Sequence, residues 1–292
     1  MAKTREIKKR IKAVGNIRRI TKTMQMIATS KFARAQQAAT AGKPYSETLF
    51  ELVMQLSATL GEDAVHPLLN TPASGKDLTL VITSDRGLCG PYNGGVLRQS
   101  MGLFRSTAAA KEGEIELVGK KGLSFLKFSN IPVSRHHTQF GDKPTYENVR
   151  ELAEGYMKRF LAGEIATVRV VYMKYLSASR QTPTVMQLLP FKAEAKSKAA
   201  DAVKGPASVY EFTPSAADLL DDLLPAAVKA LLFQAFNDAV VSEHVARMVA
   251  MKAATDNAGK MGKLYTRKFN RARQAQITTE LTEIISGAAA LA

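Results

Sequence analysis

Apolar side chains near the start of the chain recur three and four residues apart: Ile7, Ile11, Val14, Ile17, Ile20, Met24 and Ile27. That spacing predicts a helix with a narrow apolar seam. Such a seam drifts around a straight helix, so its partner must wrap it. Between residue 2 and about residue 58, only Gly15, Gly42 and Pro44 interrupt the helical composition. At about 1.5 Å per residue the predicted helix is roughly 80 Å long, more than a compact domain requires. Lys8, Lys12, Arg19 and Lys22 form a second, basic stripe to one side of the seam.

From residue 71 to about 195 the period changes. Leu78–Thr83, Glu114–Val118, Val133–Thr138, Thr167–Tyr175 and Thr184–Leu189 read as strands, with helical stretches near 93–107, 120–128 and 145–162. Alternation of strands and helices predicts an α/β sandwich on a mostly parallel sheet, with the last two strands free to pair antiparallel across a short SASRQ turn. Residues 192–208, KAEAKSKAADAVKGPAS, read as a flexible connection.

The chain then turns helical again. Thr213 suits an N-cap and Pro214 the first helical position. Leu224, Val228, Leu231 and Ala235 mark an apolar face, as do Ile277, Leu281 and Ile284. Pro225 is expected to kink or restart the helix, and Gly259 and Gly262 to stop it. The economical layout is an antiparallel coiled coil of N- and C-terminal helices carrying an inserted Rossmann-like α/β domain. The three parts are 1–60, 71–195 and 208–292.

Charge narrows the class of partner. The 292 residues carry a net +15, and residues 1–40 supply eleven Lys or Arg against the single acid Glu6. Such an excess calls for acidic partners. A basic coiled-coil nucleic-acid-binding protein is the alternative reading, since a basic helix can hold duplex phosphates. Against it, Phe32 is the sole aromatic among residues 1–44 and the chain has no Trp, so stacking platforms for bases are missing. One cysteine, Cys89, excludes an internal disulfide and a Cys-rich metal site. His136 and His137 are adjacent, so on a strand they face opposite ways; both are expected to be exposed or capping. No apolar run of about 18 residues occurs, and the N-terminus has no apolar signal core.

Residues 82–95, ITSDRGLCGPYNGG, raise the question of a phosphate cradle. The order Gly87, Gly90, Gly94, Gly95 does not fit the dinucleotide fingerprint. Gly90 and Gly95 have the P-loop spacing, but Val96 and Leu97 stand where a Lys and a hydroxyl are needed. A tight strand-to-helix turn is the simpler expectation, with Cys89 a buried structural thiol and Asp85 and Arg86 pairing or capping. No catalytic, cofactor-binding or metal-ligating set emerges.

Four stretches carry a resemblance: IRRITKTMQMIATSK (17–31), TSDRGLCGPYNGG (83–95), SEHVARMVAMKAATDNAGK (242–260) and NRARQAQITTELTEIISGAAAL (270–291). Together, and in this order, they resemble the gamma subunit of the F-type ATP synthase over essentially the whole chain. The resemblance implies a non-catalytic rotor. Its coiled coil turns inside a ring of alpha and beta subunits, driven by proton flow through the c-ring, with the epsilon subunit alongside and the catalytic sites on beta. It implies that the helix continues through Gly259 and Gly262, and that the tail ISGAAALA is an apolar shaft tip. Met24, Arg273, Gln274, Thr278 and Glu280 match positions that meet the alpha/beta ring. Lys8, Lys12, Arg19 and Lys22 would face acidic loops of beta. Tyr210 and Glu211 fall where the family meets epsilon and the c-ring, although the local YEFTP departs from the usual run. With Cys89 alone, the redox switch of chloroplast relatives is missing. The absence of a presequence implies a bacterial protein, held at the cytoplasmic face of the inner membrane through its partners.

Overall fold

A computed structural model describes residues 2–60, 66–70, 72, 74–191 and 215–291. Tyr210, Glu211, Thr213, Pro214 and the connection 192–208 lie outside the described residues. The elements in chain order are α1 (Ala2–Leu60), β1 (Lys76–Ile82), α2 (Tyr92–Ser106), α3 (Ala108–Glu112), β2 (Glu114–Val118), α4 (Lys120–Phe128), β3 (Arg135–His137), α5 (Tyr146–Leu161), β4 (Ile165–Ser177), β5 (Arg180–Leu189) and α6 (Ala216–Leu291). They divide into two compact units, Met1–Ser30 with Arg247–Ala292, and Lys31–Ala246.

Among the described residues of the larger unit, five strands lie in the order β3-β2-β1-β4-β5. β1, β2, β3 and β4 run parallel, and β5 returns antiparallel beside β4. Successive side chains on a strand point to opposite faces. Leu78, Leu80 and Ile82 of β1 therefore join one core, with Val168 and Val170 of β4, Val149 and Phe160 of α5, Leu49 to Leu56 of α1, and Leu224 to Phe236 of α6. Val81 faces the other core, with Ile115, Leu117, Val96 and Phe104 of α2, and Leu126 of α4. The result is a three-layer α/β sandwich whose central strand is the first in sequence, as in Rossmann-like sheets.

Three local expectations are corrected. α6 runs without a break through Pro225, Gly259 and Gly262, as the resemblance implied at the two glycines, while α1 runs through Pro44 over the length expected of it. An interior proline costs about 3 kcal/mol and a glycine about 1 kcal/mol in a helix. At Pro225 the buried neighbours Leu224, Ala227 and Val228 hold the turn against that cost. Ser215 stands just before α6 and accepts a hydrogen bond from the Asp218 amide at 3.2 Å, a cap on its first turn. β3 is shorter than expected, and His137 on it is buried rather than exposed. Its Nε2 lies 2.6 Å from Oε2 of Glu116 on the neighbouring strand. The Tyr156 hydroxyl donates to the same oxygen at 2.7 Å. A buried imidazole and a buried carboxylate satisfy one another here. His136, on the opposite side of the strand, is half-buried.

Candidate functional site

The smaller unit is a two-helix coil. On α1 the buried and half-buried positions are Thr4, Ile7, Ile11, Val14, Thr21, Met24, Gln25 and Ala28; on α6 they include Met251, Thr255, Ala258, Gly262, Tyr265, Phe269, Ala272 and Gln276. The α6 positions alternate in steps of four and three, the heptad that gives a left-handed supercoil. Thr21 is hydrogen-bonded to Thr255 at 2.8 Å, Val14 lies against Gly262, and Thr4 donates to Gln276 at 2.9 Å. As the α1 number falls the α6 number rises, so the helices run antiparallel.

The seam is the expected one at Ile7, Ile11, Val14 and Met24 and departs from it elsewhere. Ile17, Ile20 and Ile27 are 52, 58 and 52% exposed. They sit one residue before the heptad positions, about 100° around the helix at 3.6 residues per turn. Hydroxyl and small side chains share the seam with Ile7, Ile11 and Val14, while Ile17, Ile20 and Ile27 point outward. On α6, Met261, Leu264, Ile277, Leu281, Ile284 and Ile285 are exposed in the same way. Every residue of α6 with described burial beyond Gln276 is exposed.

The other marked residues, Met24 apart, belong to this outward surface. Lys8, Lys12, Arg19 and Lys22 are exposed, and Met24 is half-buried at the seam. Arg273, Gln274, Thr278 and Glu280 are exposed. The Thr278 hydroxyl donates to the Gln274 carbonyl at 3.0 Å, and Glu280 accepts from Gln276 at 2.8 Å. Arg10 is held in its charged form by hydrogen bonds to Tyr265 and Glu6. A groove of about 790 Å³ between the helices is lined by Gly15, Gly259 and Gly262, with Arg18, Lys260, Lys263 and Arg267 around it.

In the larger unit, the glycine-rich loop is filled by its own side chains. Asp85 accepts from the Lys120 amide at 3.1 Å, the Ser84 carbonyl from the Lys121 amide at 3.1 Å, and the Thr83 hydroxyl from the Gly122 amide at 3.1 Å. These are the free first-turn amides of α4, where an anion would otherwise bind. Ser84 and Cys89 are buried, and Asn93 reaches both: its Nδ2 lies 2.7 Å from the Ser84 hydroxyl and 3.2 Å from the Cys89 sulfur. Gly119 turns the chain from β2 into α4 with φ +94°; a side chain there would lie 2.3 Å from the Thr83 carbonyl oxygen. The loop is a strand-to-helix turn with Cys89 as a structural thiol.

A family model described as ATP synthase matches residues 3–291. The ATP synthase gamma chain of Rhodopirellula baltica is 41% identical over all of this chain and 99% of its own length. That of Leptospira biflexa is 39% identical, with both chains fully covered. The chain belongs to the ATP synthase gamma chain family. The gamma-chain fold recurs in solved structures. One neighbour, from the Euglena gracilis mitochondrial ATP synthase OSCP/F1/c-ring structure, has a TM-score of 0.64 at 19% identity, covering 99% of this chain and 95% of the other. Another, from the Tetrahymena thermophila mitochondrial ATP synthase central stalk/c-ring structure, has a TM-score of 0.55 at 22% identity, covering 80% and 99%. No helix among the described residues is long and apolar enough to cross a membrane.

Two features of this gamma chain had no sequence signal. One is the buried set of Glu116, His137 and Tyr156, joined by Arg159, which reaches Glu114 at 2.7 Å and Glu164 at 3.1 Å. Burial alone would push the Glu116 carboxyl up; the hydrogen bonds from His137 and Tyr156 outweigh it and hold it below its ordinary value. The other is Asp238 on α6, whose carboxyl burial pushes up to about 6. Each depends on which element packs opposite, and residue spacing along one element does not report that.

Proposed function

We propose that the chain is the turning central stalk of a proton-driven ATP synthase. Its work is mechanical. The c-ring turns it, and its asymmetric coil passes the rotation to catalytic sites on the beta subunits, so the chain itself makes and breaks no bond. The observation that carries this is the row of large apolar side chains that the coil leaves outside its seam. Fully burying an aliphatic side chain is worth about 1.5–3 kcal/mol. Ile17, Ile20, Ile27, Met261, Leu264 and Ile277 forgo that within the chain. Contiguous exposed apolar surface marks an interaction site. A coil that places Thr21, Thr255, Ala258 and Gly262 in its seam and leaves Ile17, Ile20 and Ile27 outside is suited to being surrounded.

On this reading, Met24, Arg273, Gln274, Thr278 and Glu280 meet the alpha/beta ring. Lys8, Lys12, Arg19 and Lys22 meet acidic loops of beta through long-range attraction, which tolerates sliding because it does not demand fixed geometry. Tyr210 and Glu211 are assigned to the epsilon or c-ring contact. The three-part division at 1–60, 71–195 and 208–292 separates the two terminal helices from the inserted domain. The site of action is the cytoplasmic face of a bacterial inner membrane, reached through partners. The nucleic-acid reading gains no support from the relatives.

The test is native mass spectrometry of the chain mixed with its own alpha and beta subunits, with ATPase activity read on the same sample. One copy bound to an alpha–beta hexamer, with steady ATPase gained, is the expected result. Intact partners that form no complex with the chain would refute it.

A further inference from the structure

The loop joining β3 to α5, residues 138–145, touches more of the larger unit than a connection needs. Phe140 is 2% exposed, and its ring lies 4.5 Å from that of Phe236 on α6. Gly141, at φ +50°, turns the chain sharply, and the next residue points elsewhere. Asp142 there accepts a hydrogen bond from the Lys31 ammonium of α1 at 2.5 Å. Gly141 and Pro144 line a cavity of about 20 Å³ with Ile82 of β1, Val118 of β2 and Val240 of α6. Both ends of the loop are fixed: His137 is held by Glu116, and Thr145 accepts from the Asn148 amide to cap α5. Phe32, next to Lys31, meets Tyr175 of β4 edge-on at 6.2 Å.

We propose that residues 138–145 form a clasp that passes turning load between the sheet and both long helices. The load path runs from β2 through Glu116 and His137 into the loop, then to α1 through Asp142–Lys31 and to α6 through Phe140–Phe236. An ordinary surface loop is mobile and carries little force. This one has a buried ring, a proline and a capped exit, so it resists bending. The inference rests on the rotor reading, because only a turned molecule has a load to pass.

The test is a charge swap in the complete ATP synthase in inverted membrane vesicles. Lys31→Asp, Asp142→Lys and the double exchange are compared for protons pumped per ATP hydrolysed. Phe140→Leu is a milder probe of the α6 branch. Each single reversal is expected to keep ATPase activity but cut the pumping ratio to about half or less, and the double exchange to restore it, as a coupled pair requires. In the isolated full chain, hydrogen exchange along residues 28–40 should quicken roughly threefold or more in the singles and recover in the double, since a half-exposed pair is worth a modest opening free energy. A wild-type complex that pumps, with single variants that pump equally well, overturns the clasp and leaves the rotor reading intact. A double exchange as defective as the singles also overturns it. A wild-type chain that never joins the ring removes the rotor reading and the clasp together.

Discussion

Asp238→Asn should stabilise the isolated chain at neutral pH and lose that advantage in acid. Asp238 is 7% exposed on α6. It accepts from Gln234 at 2.9 Å and from the Tyr175 backbone amide, with Lys174 and Lys43 nearby. Burial outweighs these partners and raises its carboxyl from 3.8 to about 6. The folded protein therefore holds this proton more tightly than the unfolded chain does. Stability from this group is fully present below the unfolded value and is lost as pH rises through the folded one. At 1.36 kcal/mol per unit, the charged carboxylate costs about 1.5 kcal/mol at pH 5 and about 3 kcal/mol at pH 7.5. Asn mimics the neutral acid and keeps an oxygen for Gln234 and Tyr175. Urea unfolding at a series of pH values reads the gap directly. It should open between about pH 4 and pH 6 and then level off. A variant less stable than wild type at pH 7.5, or a gap that does not change with pH, would refute the burial argument.

Glu116→Ala should destabilise the larger unit by about 3 kcal/mol, because it strands His137 and Tyr156 in the core; thermal melts check this. The Glu116 carboxyl is held below its ordinary value. Its contribution is therefore present above the unfolded value and lost as pH falls through the folded one, so the gap between wild type and Glu116→Ala should shrink in strong acid. Gly259→Ala and Gly262→Ala should each stabilise α6 by up to about 1 kcal/mol, measured by helical signal on heating. An added methyl would lie 3.7 Å from Arg18 at the first site and 4.0 Å from Val14 at the second, both ordinary contacts. Gly119→Ala should leave the chain insoluble or several kcal/mol less stable, on the order of a buried strained site, because the clash is with fixed backbone at Thr83; soluble yield and unfolding midpoint report it.

Strand positions were legible because alternation and turn glycines are local signals. β1, β2 and β5 lie close to where Leu78–Thr83, Glu114–Val118 and Thr184–Leu189 were expected. Helix continuity was not legible locally. Pro225 and Gly259 carry a real propensity cost, and only packing supplied by residues far along the chain offsets it. The seam was read half correctly for a related reason. Ile17, Ile20, Met24 and Ile27 keep heptad spacing, but so do Thr21, Gln25 and Ala28, and Thr and Gln do not register as apolar. Two overlapping stripes look like one until the partner helix selects a face. The burial of His137 is not legible along β3, because Glu116, which justifies it, lies on another strand. The resemblance, rather than spacing, led to Arg273, Gln274, Thr278 and Glu280; an exposed polar helix face has no pattern of its own.

Turning inside a ring can be watched on single complexes. Cys89 is buried, so a Cys89→Ser, Phe128→Cys variant places a single thiol on an exposed position of α4. A gold rod attached there, with the alpha–beta ring fixed to glass, reports rotation directly. Stepwise rotation in one direction is expected, at a speed that rises with ATP concentration and falls to zero when ATP is removed. A ring that hydrolyses ATP with the chain bound, while the rod only jitters about one angle, would contradict the rotor reading.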